Sequence, residues 1–261
     1  MSELVSFVGS GNVAWHLAPV LDNAGWPVRE VYSRNPAHAE CLVERLYEAD
    51  IKASLDFSAS SSRIFVIAVS DDAIEEIARE IVLPEEAILV HTSGSQPLSK
   101  LGYAATSFTG VFYLLQTFSK ERKVDFRDVP VFIESEDETV ERILEKMGKA
   151  ISNHVYHIDS HGRRALHVAA VFASNFTNHM LRISKDITGD HRLEFDWLKP
   201  LIAETINKSL SIGPEKAQTG PAKREDFETL DTHMEFLRND EKLAELYRVI
   251  SQHIIDSKND K

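Results

Sequence analysis

The sequence predicts a two-domain α/β protein, in which a domain built on a doubly wound parallel sheet precedes an all-helical domain. From residue 3 to about residue 158, short apolar strand patterns alternate with amphipathic helix patterns, as expected for helices packed on both faces of a parallel sheet. After Asp159 only helical periodicity remains. The predicted domains therefore span residues 1–158 and 159–261.

The predicted sheet follows from strand and helix patterns that alternate along the first domain. RIFVIAVS is apolar at nearly every position, which is typical of a central parallel strand that is buried on both faces. Asn35 and Pro36 are the predicted N-cap and first residue of the second helix. The predicted strands are ELVSFVG, WPVREVYS, RIFVIAVS, AILVHTSG, SFTGVFYL, VPVFIES and HVYHID, and the predicted helices are GNVAWHLAPVLDNAG, NPAHAECLVERLYEAD, DDAIEEIAREI and DETVERILEKMGKAI.

A long helix is predicted to open the second domain. The segment DSHGRRALHVAAVFASNFTNHMLRISKDI keeps helical periodicity for roughly 28 residues and stops at Gly189. Shorter helices are predicted at 196–211, 227–238 and 241–255. Because such apolar helix faces at one edge of a sheet domain are rarely buried by a single chain, we expect a homodimer through the helical domain.

Composition excludes several classes of protein. The chain has 29 basic and 41 acidic side chains and a formal net charge of −12, so its surface should repel nucleic acid. No apolar run approaches the ~20 residues that span a bilayer, and no signal-peptide pattern opens the chain, which favours a cytoplasmic protein without membrane attachment. Cys41, the single cysteine, rules out a disulfide framework and a cysteine-based zinc site, and we expect it to be buried. The histidines are scattered, so no metal site is predicted.

The segment GSGNVA fits the pattern G-x-G-x-x-A of a dinucleotide-binding turn between a strand and a helix. Gly9 would permit the tight turn, Gly11 would let the backbone approach a pyrophosphate, and Ala14 would allow close packing of the helix on the strand. The free amides at the start of the helix would then face the phosphates. A purely structural turn is the alternative. The predicted cofactor contacts here are Gly9, Ser10, Gly11, Asn12 and Val13.

The end of the second strand bears on the choice between NAD and NADP. An acidic side chain there binds the ribose of NAD, but this strand ends VYSRNP, with Ser33, Arg34 and Asn35 at the relevant place. A hydroxyl and a guanidinium suit a 2′-phosphate, so the sequence favours NADP. Glu30 is a rival acid, although strand register places it in mid-strand. Arg34 could also be an ordinary solvated arginine.

Two further strand ends should face the same ligand crevice, because the carboxyl ends of parallel strands meet at one edge of the sheet. Val69, Ser70 and Asp71 follow the third long strand, and Ser93 lies in HTSGS after the next. We predict all four as cofactor contacts. For Asp71, capping of the following helix is the more ordinary role.

In the order GSGNVA, VYSRN, VIAVSDDAI, HTSGS, GVFYLLQTFS, HVAAVFASNFTNHM and QTGPAKRED, the sequence resembles Rossmann-like proteins that carry a DUF2520 helical domain and are labelled NADP oxidoreductases. The resemblance covers nearly the whole chain. More distantly, the chain is similar to pyrroline-5-carboxylate reductase, F420-dependent NADP reductases, and the 6-phosphogluconate and β-hydroxyacid dehydrogenases. The resemblance implies a Rossmann domain, a helical dimerisation domain, and hydride transfer in a cleft between them.

Polar residues on the long helix are candidates for the chemistry. On a helical wheel with 100° per residue, His167, Ser174, Asn175 and Asn178 fall on one side of an otherwise apolar rod. His167 and Asn175 are predicted as catalytic residues and Asn178 as a substrate ligand. A hydrogen-bonded helix–helix contact, including a dimer interface, is the alternative for each of them.

The proton donor is harder to place. β-Hydroxyacid dehydrogenases and ketopantoate reductases carry a lysine on the long helix, but this chain has none between Asp159 and Ser184. Lys208 on the next helix is the predicted substitute, and a surface ion pair with Glu204 is the alternative. Gln116 in LLQTFS is a predicted substrate ligand. So is Thr219 in QTGPA, which is similar in placement to the substrate loop of pyrroline-5-carboxylate reductases, and a plain turn between helices is the alternative there.

Two functions remain open at this stage. The first is an NADP-dependent oxidoreductase that transfers a hydride between the cofactor and a small C=N or C=O substrate. The second is a non-catalytic, NADP-binding sensor or regulatory dimer, which the missing long-helix lysine keeps in consideration.

Overall fold

The structure, a computed structural model, describes residues 3–257. The chain forms two compact units, of which the first ends at Met180 and the second begins at Leu181. This division falls inside a helix that begins at Thr177. The predicted boundary, between residues 158 and 159, lies instead just before the helix that begins at Ser160.

The first unit contains a sheet of eight strands within the described residues, in the order β3-β2-β1-β4-β5-β6-β7-β8. Neighbouring strands are parallel except β6 and β7, which are antiparallel. This order, with the reversal between β1 and β4, confirms the predicted doubly wound α/β fold. The strands are β1 (Val5–Val8), β2 (Val28–Tyr32), β3 (Asp50–Lys52), β4 (Ile64–Ile67), β5 (Ile88–His91), β6 (Thr109–Leu114), β7 (Val131–Glu134) and β8 (Val155–His157).

Five α-helices lie wholly within the described part of the first unit. They are α1 (Asn12–Asn23), α2 (Pro36–Val43), α3 (Ile74–Glu80), α4 (Glu138–Ile151) and α5 (Ser160–Ala170). Three of them begin with a side-chain cap, because the side chains of Asn35, Asp137 and Asp159 accept hydrogen bonds from backbone amides in the first turn.

The core lies on both faces of the sheet, because successive side chains of a strand point to opposite faces. In β4, Ile64 and Val66 belong to one buried cluster, which α1 and α4 cover. Phe65 and Ile67 belong to a second cluster, which α3 covers. All four side chains are fully buried, as the apolar run RIFVIAVS predicts.

The second helix differs from its prediction. It ends at Val43 instead of running to Asp50, and the short strand β3 (Asp50–Lys52) was not predicted. The prediction that Cys41 is buried was also wrong, because Cys41 is exposed. Only Ala39 and Leu42 of this helix are buried, so the helix packs along a narrow face and Cys41 points away from it.

The long helix of the prediction is continuous but not uniform. A π-helical segment, Val171–Phe176, joins α5 to α6 (Thr177–Asp190). A π-helix closes its hydrogen bonds between residues i and i+5, so each residue there turns through a smaller angle than in an α-helix. The wheel drawn at 100° per residue is therefore wrong beyond Ala170, and His167 and Asn178 do not share the predicted line.

The second unit is helical throughout its described residues. After α6 come α7 (Lys199–Ile212), α8 (Pro214–Ala217), α9 (Pro221–Arg224), α10 (Phe227–Phe236) and α11 (Glu241–Asp256). Many large apolar side chains of this unit are exposed in the single chain, among them Trp197, Leu201, Leu210, Phe227 and Phe236. No helix in residues 3–257 combines the length and the apolar character that crossing a membrane would require.

Candidate functional site

The carboxyl ends of β1, β2 and β4 border a pocket of about 630 Å³ in the first unit. It lies where the strand order reverses, which is the place where open parallel sheets bind their ligands. Ten of the twelve residues predicted to bind cofactor line it. The lining residues are Gly9, Ser10, Gly11, Asn12, Val13, Tyr32, Ser33, Arg34, Asn35, His38, Ala68, Val69, Ser70, Ile77 and Lys120.

Gly9 and Gly11 differ in whether the fold itself requires a glycine at the position. Gly9 has φ +112°, and a Cβ atom on it would lie 2.3 Å from the carbonyl oxygen of Ala68. The fold itself therefore requires glycine at this position. Gly11 has φ −72°, which any residue adopts, and the atom nearest to an added Cβ is the Ala68 oxygen at 3.8 Å. The fold leaves space at Gly11 that a ligand can use.

Helix α1 begins in this pocket without a side-chain cap. Gly11 is its N-cap residue, and no side chain accepts from the first amides of the helix. Uncapped amides and the helix dipole favour an anion at this position. The Oγ of Ser10 donates to the Oγ of Ser33 at 2.9 Å and joins the turn to the end of β2. This donor set fits a pyrophosphate.

The β2 side of the pocket carries positive charge. Ser33, Arg34, Asn35 and His38 line this side, and the Arg34 side chain is exposed. Glu30, the rival acid of the sequence analysis, lies in mid-strand. There it accepts hydrogen bonds from Ser6 and Ser60.

Lys120 also lines the pocket, and sequence reasoning missed it. It lies in the loop after β6, and that loop is fastened to α1. Asn12 Nδ2 donates to the Phe118 oxygen at 3.0 Å, and His16 Nε2 lies 2.9 Å from the Ser119 oxygen. The Lys120 Nζ stands 4.7 Å from the ring centroid of Trp15 on α1. No local sequence pattern predicts a contact between residues that are about a hundred positions apart.

Asp71 and Ser93 are the two predicted cofactor residues that the structure does not bring to this pocket. The Asp71 carboxylate accepts from the Ser95 Oγ at 2.5 Å. The Ser93 Oγ accepts from the backbone amides of Ser95 and Gln96, both at 3.1 Å. The Ser93 side chain therefore shapes the HTSGS loop from within, and Asp71, which lies after β4, holds the same loop through Ser95.

Arg163 on α5 holds the same loop in place through its guanidinium group. Its side chain is fully buried, and its Nη1 donates to the carbonyl oxygens of Ser93 at 2.8 Å and Gln96 at 2.7 Å. Its Nη2 donates to the carboxylate of Glu134 at 2.7 Å. The carboxylate and the two carbonyls accept from both Nη atoms and offset the cost of burying the charge, while the buried Nε has no hydrogen-bond partner among the described residues.

His91 at the end of β5 is fully buried beside this cluster. Burial, together with the positive charge of Arg163, lowers the pKa of His91 to about 3. Its Nδ1 accepts from the Ser93 amide at 3.2 Å. His91 is therefore neutral at physiological pH and supports the loop.

A second pocket, of about 520 Å³, lies between the end of β6 and the helix that runs from α5 into the π-helical segment. Three of the predicted site residues, Gln116, His167 and Asn175, line it. Asn178 does not, because the π-helical segment shifts the register before it. The full lining is Tyr113, Leu115, Gln116, Thr117, Leu166, His167, Ala169, Ala170, Val171, Ala173, Ser174 and Asn175.

Comparison with known proteins decides the family. Residues 4–94 match the model of the family described as NADP oxidoreductase coenzyme F420-dependent, and residues 129–254 match the domain of unknown function DUF2520. A solved structure from Bacteroides fragilis, described as a “putative NADP oxidoreductase”, is 36% identical, with a TM-score of 0.88 and 98% of each chain covered. The chain belongs to the NADP oxidoreductase family of Rossmann-like proteins that carry a DUF2520 domain. No curated protein matches the chain.

More distant structures share the fold of this chain. Protein TM1727 from Thermotoga maritima is 22% identical, with a TM-score of 0.70, and the match covers 98% of this chain and 99% of that one. A reductive aminase from Aspergillus terreus, solved with NADPH and ethyl levulinate, is 13% identical, with a TM-score of 0.72, and the match covers 98% of this chain and 95% of that one. At these identities the likeness shows the fold.

The remaining candidate site residues of the chain lie in the second unit. Lys208 is half-buried on α7, and Thr219 is exposed between α8 and α9. Within the described residues no ion pair joins Lys208 to Glu204. The same residues contain no group of three or more His, Cys, Asp or Glu side chains placed to hold a metal ion.

Proposed function

We propose that the protein is an NADP(H)-dependent oxidoreductase that transfers a hydride between the nicotinamide and a small substrate with a C=N or C=O bond. One observation carries the proposal. The first pocket combines a glycine turn, an uncapped helix N-terminus and the cations Arg34 and Lys120. Membership of the NADP oxidoreductase family supports the same conclusion.

The first pocket would hold the cofactor by its phosphates. The amides at the start of α1 would bind the pyrophosphate, with the space at Gly11 allowing close approach. Ser33 and Arg34 would bind the 2′-phosphate that distinguishes NADP from NAD. Lys120 adds a second positive charge to the pocket. When bound, the reduced cofactor supplies a hydride for the substrate carbon.

The second pocket would hold the substrate. Gln116 and Asn175 line it and offer amide donors and acceptors to a carbonyl or imine group. The roles predicted for Asn178 and Thr219 as substrate ligands stay predictions, and Lys208 stays the alternative proton donor. The exposed apolar side chains of α7 and α10 support the proposed homodimer, and a cytoplasmic location is proposed with it.

The test is reduction of simple probes. NADPH consumption is measured with cyclohexanone, alone and with methylamine to generate an imine, and NADPH binding is followed separately by nicotinamide fluorescence. Saturable binding with turnover of either probe supports the oxidoreductase. Saturable binding without turnover on a wide panel of ketones and imines favours the sensor. If the protein exchanges hydride with coenzyme F420 and with none of the ketones or imines, its substrate is a deazaflavin and not the proposed small molecule.

A further inference from the structure

The second pocket contains an acid that the sequence analysis did not single out. Tyr113 stands near the end of β6, and its side chain is mostly buried. Its hydroxyl lies 3.2 Å from Nδ1 of His167 on α5. Both residues line the second pocket, so the pair reaches the space that we assign to the substrate.

The loop after β5 is built to let these two rings meet. A Cβ atom on Gly94 would lie 2.6 Å from Nδ1 of His167 and 2.7 Å from the Tyr113 ring. Only glycine leaves that room. Arg163 holds the carbonyls of the loop on either side of Gly94, at Ser93 and Gln96. The Tyr113 and His167 rings therefore pack against a loop segment, residues 93–96, that Arg163 holds in place.

The Tyr113–His167 pair also lies on the side of the first pocket toward which the nicotinamide half of the cofactor would extend. β6 is the parallel neighbour of β5, and β5 is the parallel neighbour of β4, so their carboxyl ends share one edge. In this kind of sheet the pyrophosphate lies over the first strand and the adenosine ribose over the second. The nicotinamide half then extends in the other direction, over β4 and β5, toward Tyr113.

We propose that Tyr113 is the catalytic proton donor for a ketone or imine substrate, with His167 as its positioning and proton-relay residue. This inference rests on the proposed function. For each hydride that reaches the substrate carbon, the C=O or C=N π-bond breaks and the Tyr113 hydroxyl proton moves to the oxygen or nitrogen. The phenolate regains a proton from Nδ1 of His167 as Nε2 of the same ring takes one from solvent, so the net reaction consumes one hydride and one solvent proton.

Tyr113 differs from most other residues of the second pocket in the acidity of its side chain. Among the lining residues that the structure describes, Tyr113 and His167 carry the titratable groups, and Ser174 and Asn175 are weaker acids. Burial raises the pKa of Tyr113, while nearby Arg163 opposes that effect. The phenol is therefore protonated at neutral pH and ready to donate.

The first test needs no substrate. All six tyrosines are replaced biosynthetically by 3,5-difluorotyrosine, whose phenol is more acidic, and fluorine NMR follows each resonance with pH. Tyr113→Phe identifies the resonance of Tyr113, and Tyr156→Phe identifies a matched control, an exposed tyrosine on β8 outside both pockets.

The two cofactor forms differ in the charge of the nicotinamide ring but share their phosphates. If Tyr113 faces that ring, its ionisation midpoint is lower with NADP⁺ than with NADPH, while the Tyr156 midpoint is the same with both. Equal midpoints for Tyr113 overturn the donor role alone. Failure of NADPH to bind contradicts the proposed function, and the donor role falls with it.

The second test is kinetic and uses cyclohexanone with and without methylamine. Tyr113→Phe should lower kcat by about a hundredfold or more with NADPH affinity unchanged, because general acid catalysis contributes 10²–10⁴-fold. Tyr156→Phe should behave as the wild type. His167→Asn should flatten the pH dependence of kcat, which loss of packing alone would not do. Full activity in Tyr113→Phe, with activity lost in Lys208→Ala, would assign the donor to Lys208 and overturn this proposal.

Discussion

Nη2 of Arg163 donates to Oε2 of Glu134 at 2.7 Å, and no part of the Arg163 side chain reaches solvent. The pair joins α5 to the end of β7, and the same guanidinium fastens the loop that carries Ser93 and Gly94. The helix of the second pocket and the wall of that pocket therefore depend on one buried cation.

Replacing Arg163 by Met should cost about 3–5 kcal/mol of unfolding free energy, because it leaves the Glu134 carboxylate without its partner. The double variant Arg163→Met/Glu134→Gln should recover part of this loss. Arg142→Ala is the matched control, since its ion pair with Glu138 is exposed and should contribute less than about 1 kcal/mol. Urea denaturation measures all three. A double variant no more stable than Arg163→Met would show that the two side chains are not coupled.

Replacing Gly11 by Ala should separate folding from cofactor binding. The chain leaves an added Cβ at this position 3.8 Å from its nearest neighbour, so the melting temperature should stay within a few degrees of the wild type. NADPH affinity should fall at least tenfold, because the methyl group occupies the approach of the pyrophosphate. Gly9→Ala is the contrast, and it should lose stability as well, since its Cβ would meet the Ala68 oxygen. Unchanged NADPH affinity in Gly11→Ala would contradict the proposal that the pyrophosphate binds at this turn.

Replacing Arg34 by Ala should weaken NADPH binding by about tenfold or more, as expected for one lost charge-assisted contact. NADH binding should change little, because NADH lacks the 2′-phosphate. Arg29→Ala is the control, since Arg29 lies in β2, pairs with Glu48 and does not line the pocket. Nicotinamide fluorescence titrations give both affinities. Equal losses for the two cofactors would contradict the assignment of Arg34.

His91 should make the fold less stable in acid. Its pKa is about 3 in the folded chain and near 6.5 when unfolded, so below pH ~6.5 the unfolded chain binds the extra proton. The free energy of unfolding should therefore fall by up to about 1.4 kcal/mol per pH unit between pH ~6.5 and pH ~3. His91→Asn should remove this component, which urea titrations at a series of pH values would detect. The same slope in wild type and variant would exclude His91 as its source.

The fold and most of the first pocket could be predicted because their signals are local. The glycines of GSGNVA and the strand before them specify a turn, and parallel strand ends meet at one edge whatever the rest of the chain does. Ser33 and Arg34 follow from the same rule. Asp71 and Ser93 lie at the strand ends that the rule selects, but Asp71 bonds to Ser95 and Ser93 bonds within the HTSGS loop. No sequence pattern reveals these partners.

The second pocket was less accessible to sequence reasoning because its signals are not local. Tyr113 reads as one more apolar residue of a buried strand, and its partner His167 is 54 residues away. Lys120 reaches the first pocket through contacts across about a hundred residues. The π-helical segment at Val171–Phe176 changes which polar side chains share a face, and periodicity at 100° per residue cannot show it.

Isotope transfer tests the proposed hydride transfer most directly, because loss of NADPH alone does not show which atom receives the hydride. The protein is incubated with NADPH deuterated at nicotinamide C4 and with cyclohexanone, alone and with methylamine, and the products are examined by mass spectrometry. The account predicts one deuterium on the former carbonyl or imine carbon. Tight NADPH binding without deuterium in any ketone or imine product would contradict it and leave a cofactor-binding sensor.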